Sequence, residues 1–226
     1  MERYVLDNLE ASVPFEEVAA KLKLTEEDDL DELRGLYDGA MAVSRPKAVW
    51  RVCYVDGIDG DDVTVDGIAF RSRVLAGNLA GVHRVFAYVA TCGTEVDEYA
   101  HAQQDYVVRI WMDMLKEMNL RAAREQFLAH VKKAVGTPKL SSMSPGSGNL
   151  DTWPIRQQTQ LFELIGNVRE DIGVTLTPSM LMDPNKSVSG ILFPSEKGYV
   201  GCALCRRENC PGRKVPFDAA LASSLE

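Results

Sequence analysis

The sequence predicts an α+β fold, with a mixed, largely antiparallel sheet and packed helices. Three observations lead there. Short runs rich in β-branched and aromatic residues are separated by tight Gly/Asp clusters, which close hairpins and leave no room for parallel crossovers throughout. Longer runs carry apolar residues at helical spacing. Helices and strands are interspersed with no internal repeat and no regular strand-helix unit. The 226 residues, 46% hydrophobic and 26% charged, are enough to bury a sizeable core in one domain or two unequal lobes.

Taken in order, Thr25 reads as an N-cap with Asp28 at N3, and the run after it sets Leu30, Leu33, Leu36 and Tyr37 on one helical stripe. Its acidic start suits the helix dipole. Past Arg45-Pro46 the pattern changes, and 49-VWRVCYV-55 and 62-DVTVDGIAF-70 read as a strand pair across the turn cluster DGIDGD. The run 82-VHRVFAYVA-90, between Gly81 and Gly93, has the profile of a buried strand. Residues 95–118 read as helix with Val107, Trp111, Met114 and Met118 as its core stripe, continuing after a break at Asn119 through 121–135. Gly136-Thr137-Pro138 ends the helix, and a loop dense in Ser, Gly and Pro occupies 141–154. Thr152, as a cap before Trp153-Pro154, opens a helix over 155–166. VTLT, 187-SVSGILF-193 and 198-GYVGCAL-204 read as strands.

Acidic residues number 33 against 25 basic, giving a formal charge of -8. Such a balance repels phosphate backbones and argues against nucleic-acid binding. The first residues carry charges at short intervals, unlike a signal peptide, and no stretch approaches an uncharged membrane span. A cytoplasmic protein is expected, where thiols stay reduced and clustered cysteines bind metal or do chemistry.

The five cysteines include Cys202, Cys205 and Cys210 in the tail segment CALCRRENCPGR. A Cys-x-x-Cys turn can aim two sulfurs at one metal ion, and Cys210 adds a third ligand. Cys92, at the end of the buried strand, is the candidate fourth; Cys53 is the weaker one. Zinc and an iron-sulfur cluster both fit such a set, with a redox dithiol or inert thiols as alternatives. Arg206, Arg207, Arg213 and Lys214 would stabilise thiolates there. His83, His101 and His130 have no companions at metal-ligand spacing.

Within 171–204, Ile172-Gly173, Leu176-Thr177, Ser179, Met182, Pro184 and Ser187-Val188-Ser189-Gly190 precede a Phe-Pro-Ser and a Lys-x-Tyr. This ordered block resembles the C-terminal activation domain of cobalamin-dependent methionine synthase. The resemblance implies a domain that binds S-adenosylmethionine and embraces a corrinoid domain, so that oxidised cobalamin is reduced and remethylated. The family's Arg-x-x-x-Gly-Tyr motif falls on 142–147, where Gly146 is kept but Ser142 and Ser147 replace the arginine and the tyrosine. By resemblance, Ser142, Pro145, Gly146 and Ser147 mark the cofactor-binding turn. A serine hydroxyl cannot replace the planar charge of a guanidinium, which makes S-adenosylmethionine a doubtful ligand. The glycine-rich turn is still expected to offer backbone N–H groups to an anionic or zwitterionic one.

No Asp-x-His-x-x-Gly, the corrinoid-ligating motif, occurs. The resemblance therefore implies a freestanding accessory that meets cobalamin only through a corrinoid-binding protein or methionine synthase partner. The implied organisation is an N-terminal helical segment (1–45), an activation-type domain (46–204) and a cysteine-containing tail (205–226). A non-catalytic, metal-stabilised binding module is the alternative.

Overall fold

The computed structural model describes residues 2–11, 13–147, 152–196, 198–210 and 213–223. Its organising element is the strand Arg84–Thr91, in which alternate residues enter different cores. Val85, Ala87 and Val89 face one cluster while Phe86, Tyr88 and Ala90 face another, all of them fully buried. A strand covered on both faces must be apolar at both parities, which is why this run lacks alternation.

Around it the chain lays down β1 (Arg3–Leu6), α1 (Phe15–Leu22), α2 (Glu27–Val43), β2 (Lys47–Asp59), β3 (Asp62–Val65), β4 (Ile68–Arg71) and α3 (Arg73–Leu79), followed by β5 (Arg84–Thr91). Next come α4 (Thr94–His101), α5 (Tyr106–Val135), β6 (Leu140–Met143), a 3-10 turn at Ile155–Gln157, α6 (Gln158–Ile165) and α7 (Val168–Ile172). Short β7 (Thr175–Leu176) and β8 (Met182–Asp183), long β9 (Ser187–Pro194), a 3-10 turn at Gly201–Leu204 and α8 (Ala219–Ser223) complete it. The main sheet runs β4-β3-β2-β5-β9-β6, with β1 also on β2, and every pairing in it is antiparallel. The predicted α+β class is thus the observed one.

One sheet face carries α3, α6 and α7 through Leu75, Leu79, Leu161, Leu164 and Val168. The other carries the second half of α5 through Phe127 and Val131 against Trp50 and Tyr88. A third cluster, built by α1, α2, α4 and the first half of α5, holds Val18, Leu33, Val96, Met112 and Leu115. The first 45 residues are therefore not helical alone, because Tyr4 and Val5 pair with Trp50 and Val49 as a sheet strand.

Several element boundaries differ from the sequence expectation, each for a local reason. The N-cap of α2 is Glu26, not Thr25, whose hydroxyl instead bonds the Glu26 carboxylate at 3.3 Å. The expected second strand is divided by a turn at Asp66-Gly67, where both residues have positive φ. The long helical run breaks at 102–105 rather than at Asn119, because Asp105 accepts from the N–H groups of Val107 and Val108 and starts a new helix. Asn119 is fully buried inside α5, and its amide donates to the Ser44 hydroxyl at 3.3 Å. That break moves the buried stripe to Val108, Trp111, Met112 and Leu115, leaving Val107 52% exposed. Thr152 gives its carbonyl to the Ser72 hydroxyl at 2.5 Å, and Pro154 is the residue preceding the 3-10 turn. The expected strand over 198–204 is a 3-10 turn at Gly201–Leu204.

Cys53 and Cys92 have no exposed surface, and burial pushes both thiols up to about 12 from an ordinary 9.0. Between those pH values the unfolded chain loses these protons and the folded chain keeps them. Stability therefore falls with rising pH from about 9 to about 12, by roughly 1 kcal/mol per pH unit for each thiol. Denaturant titrations at stepped pH should show this slope, and it should flatten in a Cys53→Ala/Cys92→Ala protein; an unchanged slope would refute the assignment.

Candidate functional site

The turn after β6 is held from both sides. Met143 and Ser144 lie so close to Gly190 of β9 that a Cβ there would sit 2.8 Å from the Ser144 hydroxyl and closer still to the Met143 carbonyl oxygen. Gly146, at φ +77, adopts a left-handed conformation, and a Cβ on it would meet Ile155 at 3.0 Å. Glycine is required at the first position by space and at the second by backbone conformation. Ser189 of β9 donates to Gln158 at 2.9 Å, and the Gln157 amide exchanges two hydrogen bonds with the Arg71 backbone, so β9, β4 and α6 are pinned around this turn.

The structure places all four predicted turn residues together but changes what they offer. The Gly146 N–H donates to the Trp153 carbonyl at 2.8 Å and the Ser147 N–H to the Ser144 carbonyl at 3.2 Å. Pro145 has no N–H. The expected array of backbone donors is thus used within the fold at these residues. Ser142 points to the α5 face, its hydroxyl 3.1 Å from that of buried Tyr88, while Met143 faces the opposite core. Gly148 to Asp151, the rest of the predicted loop, lie outside the described residues, as does Lys197.

The cysteines divide into two environments. Cys92 packs in the helical cluster with Val96 and Leu115, whereas Leu204, within the tail's 3-10 turn, belongs to the core on the α3/α6 face of the sheet. The expectation that Cys92 joins the tail cysteines as a fourth ligand is not met. Among the described residues, no three His, Cys, Asp or Glu side chains are placed to hold a metal ion. Nor is Cys92 an acidic thiol: burial raises its pKa more than Lys116 lowers it.

A family description, vitamin B12 dependent methionine synthase, activation domain, matches residues 78–211, more than half of the chain. The chain belongs to this family. Among solved structures, the MetH reactivation domain bound to AdoHcy is similar, with a TM-score of 0.58 and 18% identity over 89% of this chain and 81% of that one. At that identity the likeness is one of fold. No curated protein matches. The region matched to the activation-domain family takes in the 142–147 turn, β9 and all three tail cysteines, so these cysteines lie within the family segment rather than beyond it.

Two polar sites in this activation-domain fold escape sequence reasoning. Lys116, 4% exposed in α5, places its ammonium 2.7 Å from Asp97 of α4 and 3.3 Å from the Asn185 side-chain oxygen. Lys186 pairs with Asp113 at 2.8 Å beside it, and the bonds to Lys186 and Asn185 hold the Asp113 carboxyl below its usual range against the opposing effect of burial. A cavity of about 400 Å³ opens there among His101, Arg109, Ile110 and Met114. Elsewhere, Arg71, Ser72, Arg73, Pro154 and Arg156 line a cleft of about 710 Å³. Arg71 and Arg73 are paired with Asp62 and Asp61. Arg156 directly follows Ile155, the residue packed against Gly146, and has no acidic partner within 4 Å among the described residues. The only sequence signal for Arg156 is its nearness to the Trp153-Pro154 pair.

Proposed function

We propose that this chain acts as a freestanding activation protein on a corrinoid carried by a separate protein, supporting its reductive reactivation or methyl transfer to it. The observation that carries the reading is the family match across the turn and β9, with the turn residues locked by Gly146 and Gly190. The corrinoid is the substrate, brought by its own protein. S-adenosylmethionine, when bound, supplies a methyl group on a sulfonium. With Ser142 hydrogen-bonded to Tyr88 and two turn N–H groups used internally, the ligand's carboxylate needs another cation, and Arg156 is the one this reading assigns.

Isothermal titration with S-adenosylmethionine and S-adenosylhomocysteine tests the ligand step. Binding is expected to weaken about tenfold in Arg156→Ala, as for loss of one charge-assisted contact of roughly 1.5 kcal/mol. Equal affinity in wild type and Arg156→Ala would remove this assignment. The partner step is tested by mixing the chain with a corrinoid-loaded methionine synthase lacking such a domain, a one-electron reductant and S-adenosylmethionine. The visible spectrum should pass to the methylated corrinoid faster with the chain than without it. No acceleration and no co-elution would overturn the proposal.

The alternative of a binding module without an adenosyl ligand is favoured by one observation, the internal use of the turn's N–H groups. Co-elution with the corrinoid protein in the absence of any titration heat would select it.

A further inference from the structure

The backbones of three cysteines converge on one arginine. The Arg213 guanidinium donates to the carbonyl oxygens of Cys202 at 3.1 Å, Cys205 at 3.0 Å and Val215 at 3.3 Å, and also to that of Arg207. Its own N–H donates to the Cys210 carbonyl at 3.1 Å. The Cys205 N–H closes the Cys-x-x-Cys turn onto the Cys202 carbonyl at 3.2 Å. All three thiols are free and partly exposed, unlike buried Cys53 and Cys92. The tail is anchored besides: the Asp218 N–H donates to the Ala203 carbonyl at 2.8 Å, and Leu204 is 5% exposed in the core.

Their sulfurs are not gathered as a ligand set in this arrangement. Their carbonyls already meet on Arg213, and gathering the sulfurs asks for rotation of these partly exposed side chains together with whatever adjustment of the 202–210 backbone brings them into reach. We propose that Cys202, Cys205 and Cys210, organised by Arg213, close around a zinc-type d10 cation as a three-thiolate site whose fourth position stays open to water or a small ligand. Binding exchanges three thiol protons for one divalent cation, leaving a single negative charge on the site. Arg206, Arg207, Arg213 and Lys214 stand in the same segment to balance it. Zinc accepts thiolates without a redox step, and a set of three protein ligands is the arrangement that keeps a position open. Cys92 takes no part.

Cobalt(II) titration of the reduced, metal-free full chain, followed by zinc, tests this. One equivalent should produce a thiolate-to-cobalt absorption band that zinc abolishes, with proton release that grows as pH falls towards neutrality. The band should vanish in Cys205→Ser and in Cys210→Ser and persist in Cys92→Ala. Arg213→Ala should weaken binding about tenfold, as for loss of a residue that orients ligands. The proposal is overturned by absence of the band, by its persistence in both serine variants, or by its loss in Cys92→Ala with an unchanged far-UV spectrum. Assembly of an iron-sulfur cluster on a chain that does not take up zinc would also overturn it.

Discussion

Lys116→Ala is expected to destabilise the protein by about 3–5 kcal/mol in denaturant titrations, the range found when one partner of a buried ion pair is removed. The Lys116 side chain is 5% exposed and that of Asp97 10% exposed, so a carboxylate left alone at Asp97 would keep its desolvation without its partner. His101, 3.3 Å from the same carboxylate, is 72% exposed and cannot replace a buried ammonium in that place. The double variant Lys116→Met/Asp97→Leu removes both charges while keeping apolar volume, and should recover most of the loss. A loss below about 1 kcal/mol in Lys116→Ala would show that water reaches the pair and screens it. Because these groups join α4, α5 and the 185–186 turn, the same variant should increase amide exchange at the start of β9.

Gly190→Ala is expected to cost about 2 kcal/mol or more, and Gly190→Val more again, by forcing β6 away from β9. The Ser144 hydroxyl can rotate out of the path of an added Cβ, but the Met143 carbonyl belongs to the edge strand and can move only with it. Such movement would shift the 144–147 turn, so ligand and partner binding should fall together with stability. Gly77→Ala supplies the control: an added methyl in α3 meets open space, and alanine is the better helix former. Its stability should be unchanged or slightly higher. Equal effects at Gly190 and Gly77 would mean that β6 yields freely, and the locked turn would have to be abandoned.

Much of this fold is readable from local pattern. The apolar run 84–91 has the composition of a strand covered on both faces, and the spacing of Leu30, Leu33, Leu36 and Tyr37 is that of a helix with one buried side. The block around Ser187–Gly190 points to the activation-domain family by residue identity and order alone. The features that local pattern misses are those decided by partners distant in sequence. Asn119 looks like a helix breaker, yet it sits inside α5 because Ser44, 75 residues away, receives its amide. The run 198–204 has strand composition, but the Tyr199 N–H donates to the Ser141 side chain at 2.7 Å, and the chain turns there instead of pairing.

The site shows the same division. Sequence alone determined that Gly146 keeps the glycine of the family's turn motif, that Gly190 closes the Ser187–Gly190 block, that the motif's guanidinium is missing at Ser142, and that three thiols cluster in the tail. Only the tertiary structure decided that the turn's N–H groups are consumed by Trp153 and Ser144, that Cys92 faces the helical core away from the tail, and that Arg213 gathers the three cysteine backbones. The physical reason is that residue type and spacing fix what a segment can form, whereas hydrogen-bond partners and burial are set by chain segments that meet only on folding.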